Sequence, residues 1–291
     1  MDIRSIQKTG DMKYLYLPTK WCKDQKISAN SKVMVEQRND GSLSIIPEVR
    51  ERKVTNITLS IEDTDFDIIQ KLIVACYINP ADSFKIELKR DIDPIEMLNH
   101  NGLVSLEMVE IDKNQIVCES EIKVSDPESL LRTSIRKIKN VLTIMMKNYH
   151  KELIERYENE IDRNKLLISK AVIGALTYHS PTRLKTIELH YIGLVSTYLE
   201  GMTDHLITIS QEEKEFLQQV MEAVSALQDI FERIEELDHQ KAIAFLKSAN
   251  SITTPLVKDI KTYRKRRVKK YLVNVGEVVL DWAITKEVER I

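Results

Sequence analysis

The residues in this chain best suited to chemistry are two acid pairs. Glu158-Asn159-Glu160-Ile161-Asp162 sets two carboxylates four residues apart, and Glu200-Gly201-Met202-Thr203-Asp204-His205 does the same. On a helix, positions i and i+4 share a face, so each pair presents its oxygens side by side. Neighbouring anions repel unless a cation lies between them. If the two helices face each other, four carboxylates converge in a geometry that hard or borderline metals such as iron or manganese favour. The competing explanation is a solvated face. Charged residues make up 30% of the chain, so acid pairs at this spacing also arise by chance, as Glu232 and Glu236 do.

Other chemistries lack their signatures. The seven glycines are scattered, without GxGxxG or GxxxxGK[ST], so nucleotide phosphates find no glycine-rich cradle. HExxH and GxSxG are absent too. The six histidines show no ligand pairing, and Cys22, Cys76 and Cys118 are odd in number and far apart. Neither disulfides nor a cysteine-based zinc site is expected.

The acid pairs need helices to position them, and the composition favours helices. Only seven Gly and seven Pro occur in 291 residues, and 43% of the chain is hydrophobic. Wholesale disorder and a turn-rich all-β fold are excluded. From Asp126 onward the pattern is helical, opened by Ser125-Asp126-Pro127-Glu128. The spacing predicts helices over 128–148, 150–178, 182–209, 212–236, 239–251 and 256–288. Ile135, Ile138, Leu142 and Met145 line one face of the first. Leu184, Ile187, Leu194, Leu199 and Met202 line one face of the third. Single apolar stripes must bury one another, which makes an antiparallel bundle.

Two smaller regions precede the bundle. Residues 1–48 carry strand signals at Tyr14–Leu17, Lys32–Glu36 and Leu43–Ile46, with Asn39-Asp40-Gly41-Ser42 as a hairpin turn. Such a piece is too small to bury a core unaided. Residues 51–124 read as a small α+β unit: a strand over Lys53–Ser60, a helix over Phe66–Tyr77 with Phe66, Ile69, Ile73 and Cys76 on one face, and a strand over Phe84–Leu88. A short helix at Pro94–Asn99 and a hairpin from Ser105–Ile111 to Gln115–Ile122 complete it. The unit is expected to be a spacer rather than a ligand sensor.

Lys and Arg number 43 against 45 Asp and Glu, a net charge of −2, so bulk attraction to nucleic acid or anionic membrane is excluded while a local patch is not. The longest apolar run, near Leu72–Ile78, is far short of a membrane span, and the start lacks a signal-peptide core. A cytoplasmic location is expected. Arg264-Lys265-Arg266-Arg267-Val268-Lys269-Lys270 is the densest basic run. It is expected to be solvated and paired with acids such as Glu232, Glu235 and Glu236, the alternative being a docking surface for an acidic, phosphate-rich or nucleic-acid partner.

The stretch Leu199–Ile209 closely resembles the ExxxDH signature helix of the PhoU family of phosphate-uptake regulators. Arg156–Arg163 is similar to that family's other acidic signature on the preceding helix. The resemblance covers roughly 126–291 and implies a six-helix bundle of two three-helix repeats. It implies metal-cluster ligands at Glu158, Asp162, Glu200 and Asp204, with His205 adjacent, and iron, zinc or manganese as the metal. The second repeat departs from the pattern, with Asn274 and Val278 where acids should stand and none at Ser248–Ile252, so at most one cluster is expected. Glu277 and Asp281 have the right spacing but the wrong register.

Arg4–Gly10 followed by Tyr14–Trp21, with Ile27–Val35 and Asp40–Leu43, resembles an AbrB-type swapped-hairpin domain. That resemblance implies homodimerisation and, with Arg4, Lys8, Lys13, Lys20 and Lys23 as candidates, DNA contacts, the alternative being a purely dimerising hairpin. Residues 1–48 hold eight Lys or Arg and six Asp or Glu, so the basic surplus is modest. The order of hairpin domain (1–48), α+β unit (51–124) and PhoU-like bundle (126–291) resembles archaeal phosphate-uptake regulators. The fold expected is mainly α with a small β-containing N-terminal part. The function implied is non-enzymatic phosphate signalling, with the transporter's ATPase or a sensor kinase as partner. The alternatives are a metal-dependent hydrolase and a metal-free scaffold.

Overall fold

Helix start signals and apolar stripes shape most of this molecule. The computed structural model describes residues 3–37, 41–47, 56–62, 65–79, 81–93, 109–119, 126–178 and 184–289. It is mainly helical, with a small N-terminal β part, and divides into two compact units, Met1–Val54 and Thr55–Ile291. No helix among the described residues is long and apolar enough to cross a membrane.

In the first unit, β1 (Gln7–Thr9) pairs antiparallel with β2 (Met12–Tyr14), and β3 (Val33–Gln37) with β4 (Leu43–Pro47). Gly10, at φ 60°, supplies the left-handed backbone that the first turn requires. The strand expected over Tyr14–Leu17 therefore ends at Tyr14, where its partner β1 runs out, and α1 (Thr19–Asp24) follows Pro18. In the second turn, Gly41 is left-handed at φ 81°, while Asn39 and Asp40 lie outside the described residues. None of the described side chains in this unit is buried.

The second unit begins with a four-stranded sheet, order β5-β6-β8-β7, of β5 (Asn56–Ile61), β6 (Ser83–Leu88), β7 (Val109–Ile111) and β8 (Gln115–Glu119). β5 and β6 are parallel, so the chain must cross over between them, and α2 (Phe66–Ile78) makes that crossover. Asp65 caps α2 by accepting from the amides of Asp67 and Ile68. Ile69, Ile73, Ile86, Ile116 and Cys118 form the core of this part. The helix expected at Pro94–Asn99 lies outside the described residues.

Six α-helices follow among the described residues: α3 (Pro127–Lys147), α4 (Lys151–Tyr178), α5 (Thr186–Leu206), α6 (Lys214–Glu232), α7 (His239–Ser251) and α8 (Ile260–Val288). α3, α4 and α5 pack on one another, as do α6, α7 and α8, and the two triplets join through α5 on α8 and α3 on α6. The expected stripe of Ile135, Ile138, Leu142 and Met145 is fully buried; on α5, Leu199 and Met202 are buried while Ile187 and Leu194 sit at the core's edge. α8 begins at Ile260 rather than 256. The Asp259 carboxylate accepts from the Thr262 amide and Thr262 Oγ1 accepts from the Asp259 amide, a reciprocal cap that fixes the start.

The bundle also grips the sheet layer. Leu166 and Leu167 of α4 pack against its core, and Lys170, one turn on, is buried with Nζ 4.5 Å from the Tyr77 ring centroid. Lys170 Nζ finds no hydrogen-bond partner among the described residues. Burial pushes its pKa down to about 8, opposed by the Cys118 thiol nearby. The folded state therefore binds fewer protons than the unfolded state between pH ~8 and ~10.4, and Lys170's cost is present in full only below that window. Lys170→Met is expected to raise stability at pH 7 by roughly 2 kcal/mol, and that gap should close as pH rises through the window. Paired urea titrations of both proteins at pH 7 and pH 10 check it.

Candidate functional site

α4 and α5 lie side by side, and their facing surfaces carry the acids. Glu158 and Asp162 come from α4, Glu200 and Asp204 from α5. Ile161 and Ile168 on α4 and Leu199 and Met202 on α5 are buried in the common bundle core, and keeping them there fixes the rotation of both helices. With that rotation set, the acids share one electrostatic neighbourhood. The pKa of Asp162 is pushed up to about 7, first by burial and then by Asp204, Glu200 and Glu158. Asp204 is exposed as a residue, yet the protein crowding its carboxyl, with Glu200 adding, raises its pKa to about 6. Glu158 is raised by burial and then by Asp204 and Glu155. Asp162 thus interacts electrostatically with Asp204, Glu200 and Glu158, and Glu158 with Asp204, across α4 and α5.

Two details qualify the metal expectation. Asp162 Oδ1 is buried and without a hydrogen-bond partner among the described residues, an orphaned acceptor of the kind a cation satisfies. The donor chemistry, all carboxylate oxygen, fits a hard or borderline ion. Yet no three His, Cys, Asp or Glu side chains among the described residues are disposed to hold one ion as they stand. The cation at the site is Lys165, whose Nζ lies 3.3 Å from Glu200 Oε1 and which lowers the pKa of both Asp162 and Asp204. Lys165 was not anticipated from the sequence, although 158, 162 and 165 follow i, i+4, i+7 spacing on a single helix face.

His205 does not join the acids. Its ring stacks on Tyr271 of α8, centroids 5.9 Å apart and planes at 25°, with Tyr263 edge-on at 6.1 Å. Partial burial, then Arg267 and Arg264, hold its pKa below the ordinary value, which favours a neutral imidazole. Consecutive helical residues diverge by about 100°, so Asp204 and His205 address different neighbours. Gly201 is what lets α8 come so close. A Cβ there would stand 2.8 Å from Tyr271 Cζ.

The expected DNA contacts are spread over the first unit. Lys8 and Lys13 are exposed cross-strand partners, a like-charge pairing that an anion would relieve. Arg4 Nη1 donates to the carbonyls of Tyr16 and Leu17, so it braces the chain, and Lys20 and Lys23 are exposed on α1.

The basic run on α8 is not paired as expected. Glu235 meets Lys286, Glu236 meets Lys241, and Glu232 accepts from Gln228. Within the run, Lys265 alone has an ion-pair partner among the described residues, Glu213. The three acids lie near the opposite end of α8 because α8 runs away from them, a crossing that sequence spacing does not carry.

The acid cluster costs stability while nothing but Lys165 offsets it. Asp162 binds a proton more tightly folded than unfolded, so its cost is absent below pH ~4 and complete above pH ~7. In metal-free protein, Asp162→Asn should add on the order of 2 kcal/mol at pH 7.5, after allowing for solvent screening, and almost nothing at pH 4. Thermal melts of chelator-treated protein at both pH values test this. Comparison of the chain with family models, with curated proteins and with solved structures finds no match.

Proposed function

We propose that this chain is a cytoplasmic, dimeric, non-enzymatic regulator of phosphate uptake, built as the PhoU and AbrB resemblances imply. The reading is supported by the electrostatic coupling of Asp162 to Glu158, Glu200 and Asp204 across α4 and α5, with Asp162 Oδ1 buried and without a hydrogen-bond partner among the described residues. These four residues would hold iron, zinc or manganese, which would supply the positive charge that the cluster otherwise draws from Lys165 alone. The carboxylates would fix α4 against α5 in the metal-bound state, and a partner such as the transporter's ATPase or a sensor kinase, recognising that state, would shift its population. Purified without chelators, the protein should carry about one equivalent of metal or more, and the Asp162→Ala/Asp204→Ala double variant a small fraction of that. Elemental analysis of both decides it. Equal metal content, or none in either, refutes the metal reading.

Lys165 favours a second reading, a metal-free adaptor in which its ammonium is the resident cation. Metal content near zero in the parent protein selects it.

The dimer rests on the first unit. Leu15, Tyr16, Met34, Val35 and Leu43 are all exposed there, between 53% and 64%. A second copy interleaving its hairpins would cover them, as an AbrB-type domain does. Lys8 and Lys13 would then double into a patch for DNA phosphates. Val35→Asp should convert a dimeric chain to a monomer in sedimentation equilibrium, with the helical circular dichroism preserved.

A further inference from the structure

The start of α8 combines two features that ordinary surface helices keep apart. Between Lys258 and Lys270 lie eight cations and one acid, Asp259, whose carboxylate is committed to the Thr262 cap. Of the eight, only Lys265 has an ion-pair partner among the described residues. The repulsion is not incidental. Lys261 and Lys265, Lys265 and Lys269, and Arg266 and Lys270 are like charges at i, i+4, and Lys261 also stands in the first turn, where the helix dipole is positive. Beside them the chain exposes apolar groups: Leu256 is 79% exposed, Val257 44%, Ile260 59% and Tyr263 43%. Every residue from Pro255 to Lys261 is exposed. Ile260, Tyr263, Arg266 and Lys270, all exposed, follow a spacing of three, three and four along one side of α8.

From this juxtaposition we infer that the Leu256–Lys270 segment is a docking surface for an anionic lipid membrane, with Leu256, Val257 and Ile260 entering the headgroup layer while Lys258, Lys261, Arg266 and Lys270 meet lipid phosphates. The apolar residues distinguish this occupant from nucleic acid, whose phosphates would draw the cations but leave Leu256 and Ile260 in water. The cations distinguish it from a second copy of the chain, because two such segments repel. A membrane surface supplies both the negative potential and the apolar depth, and clusters of this size at amphipathic segments bind it. The surface lies on α8 and its leading loop, so it stands whether or not the acid cluster holds metal.

The test is co-sedimentation of the full chain with vesicles of phosphatidylcholine alone or with about one third phosphatidylglycerol. Partitioning should rise at least roughly tenfold with the anionic lipid and fall steeply as salt rises. Arg266→Glu/Lys270→Glu and, separately, Leu256→Ser/Ile260→Ser should each lower partitioning by about tenfold; the four positions are exposed, and circular dichroism checks the fold. Lys8→Glu/Lys13→Glu, in the first unit, should leave it unchanged. The inference is overturned by binding that ignores lipid charge, by loss of binding in the Lys8/Lys13 variant with none in the α8 variants, or by no binding to anionic vesicles. It is also overturned if the serine variant binds vesicles as the parent does, since the cations alone would then act and duplex DNA would compete equally.

Discussion

Seating the apolar stripe of α4 against α5 leaves little choice about where four carboxylates go. Ile161 and Ile168, with Leu199 and Met202, bury almost completely, and each fully buried side chain of this kind contributes about 1.5–3 kcal/mol. Rotating either helix to separate the acids would expose that stripe. Hydrophobic packing outweighs the cost of crowding these acids, and burial first, with charge repulsion second, raises the proton affinity of Asp162 and Asp204. The acid cluster is a cost that the core imposes and that protonation or a neighbouring cation reduces.

The same logic explains which parts could be read from the chain. Acids four apart on one helix are a local pattern, so 158, 162, 200 and 204 were legible before any coordinates. Lys165 obeys the same periodicity and was legible too, but only to a reading that asks which cation a cluster already owns. Boundaries followed the strength of local signals. Asp126-Pro127 marked α3 to within a residue, whereas residues 256–259 read as helix because nothing in them after Pro255 forbids one; Asp259 and Thr262 decide the start. The β1–β2 hairpin escaped notice because three-residue strands carry no periodicity, leaving Gly10 as its sole marker.

Partners across the fold were less accessible. The basic run suggested acids at 232, 235 and 236, yet among the described residues Glu213 is the acid that the run itself meets. Nothing in the spacing of either segment encodes the direction in which α8 crosses α6. Lys170 is a similar case. A lysine on a long charged helix looks solvated, and only the packing of α4 on the sheet layer puts it against Tyr77 with its ammonium unpartnered.

Gly201 weakens α5 by roughly 1 kcal/mol relative to alanine, and the helix carries that cost where the ring of Tyr271 occupies the space a side chain would take. The hydroxyl end of that ring therefore rests on bare backbone, next to Glu200 and about one turn before Asp204. Side chains absorb small displacements by changing rotamer, but a peptide backbone in a regular helix has no such slack. On the α5 side of this contact the slack is missing, so what gives between the two helices is the ring of Tyr271 and not the rod that carries Glu200 and Asp204.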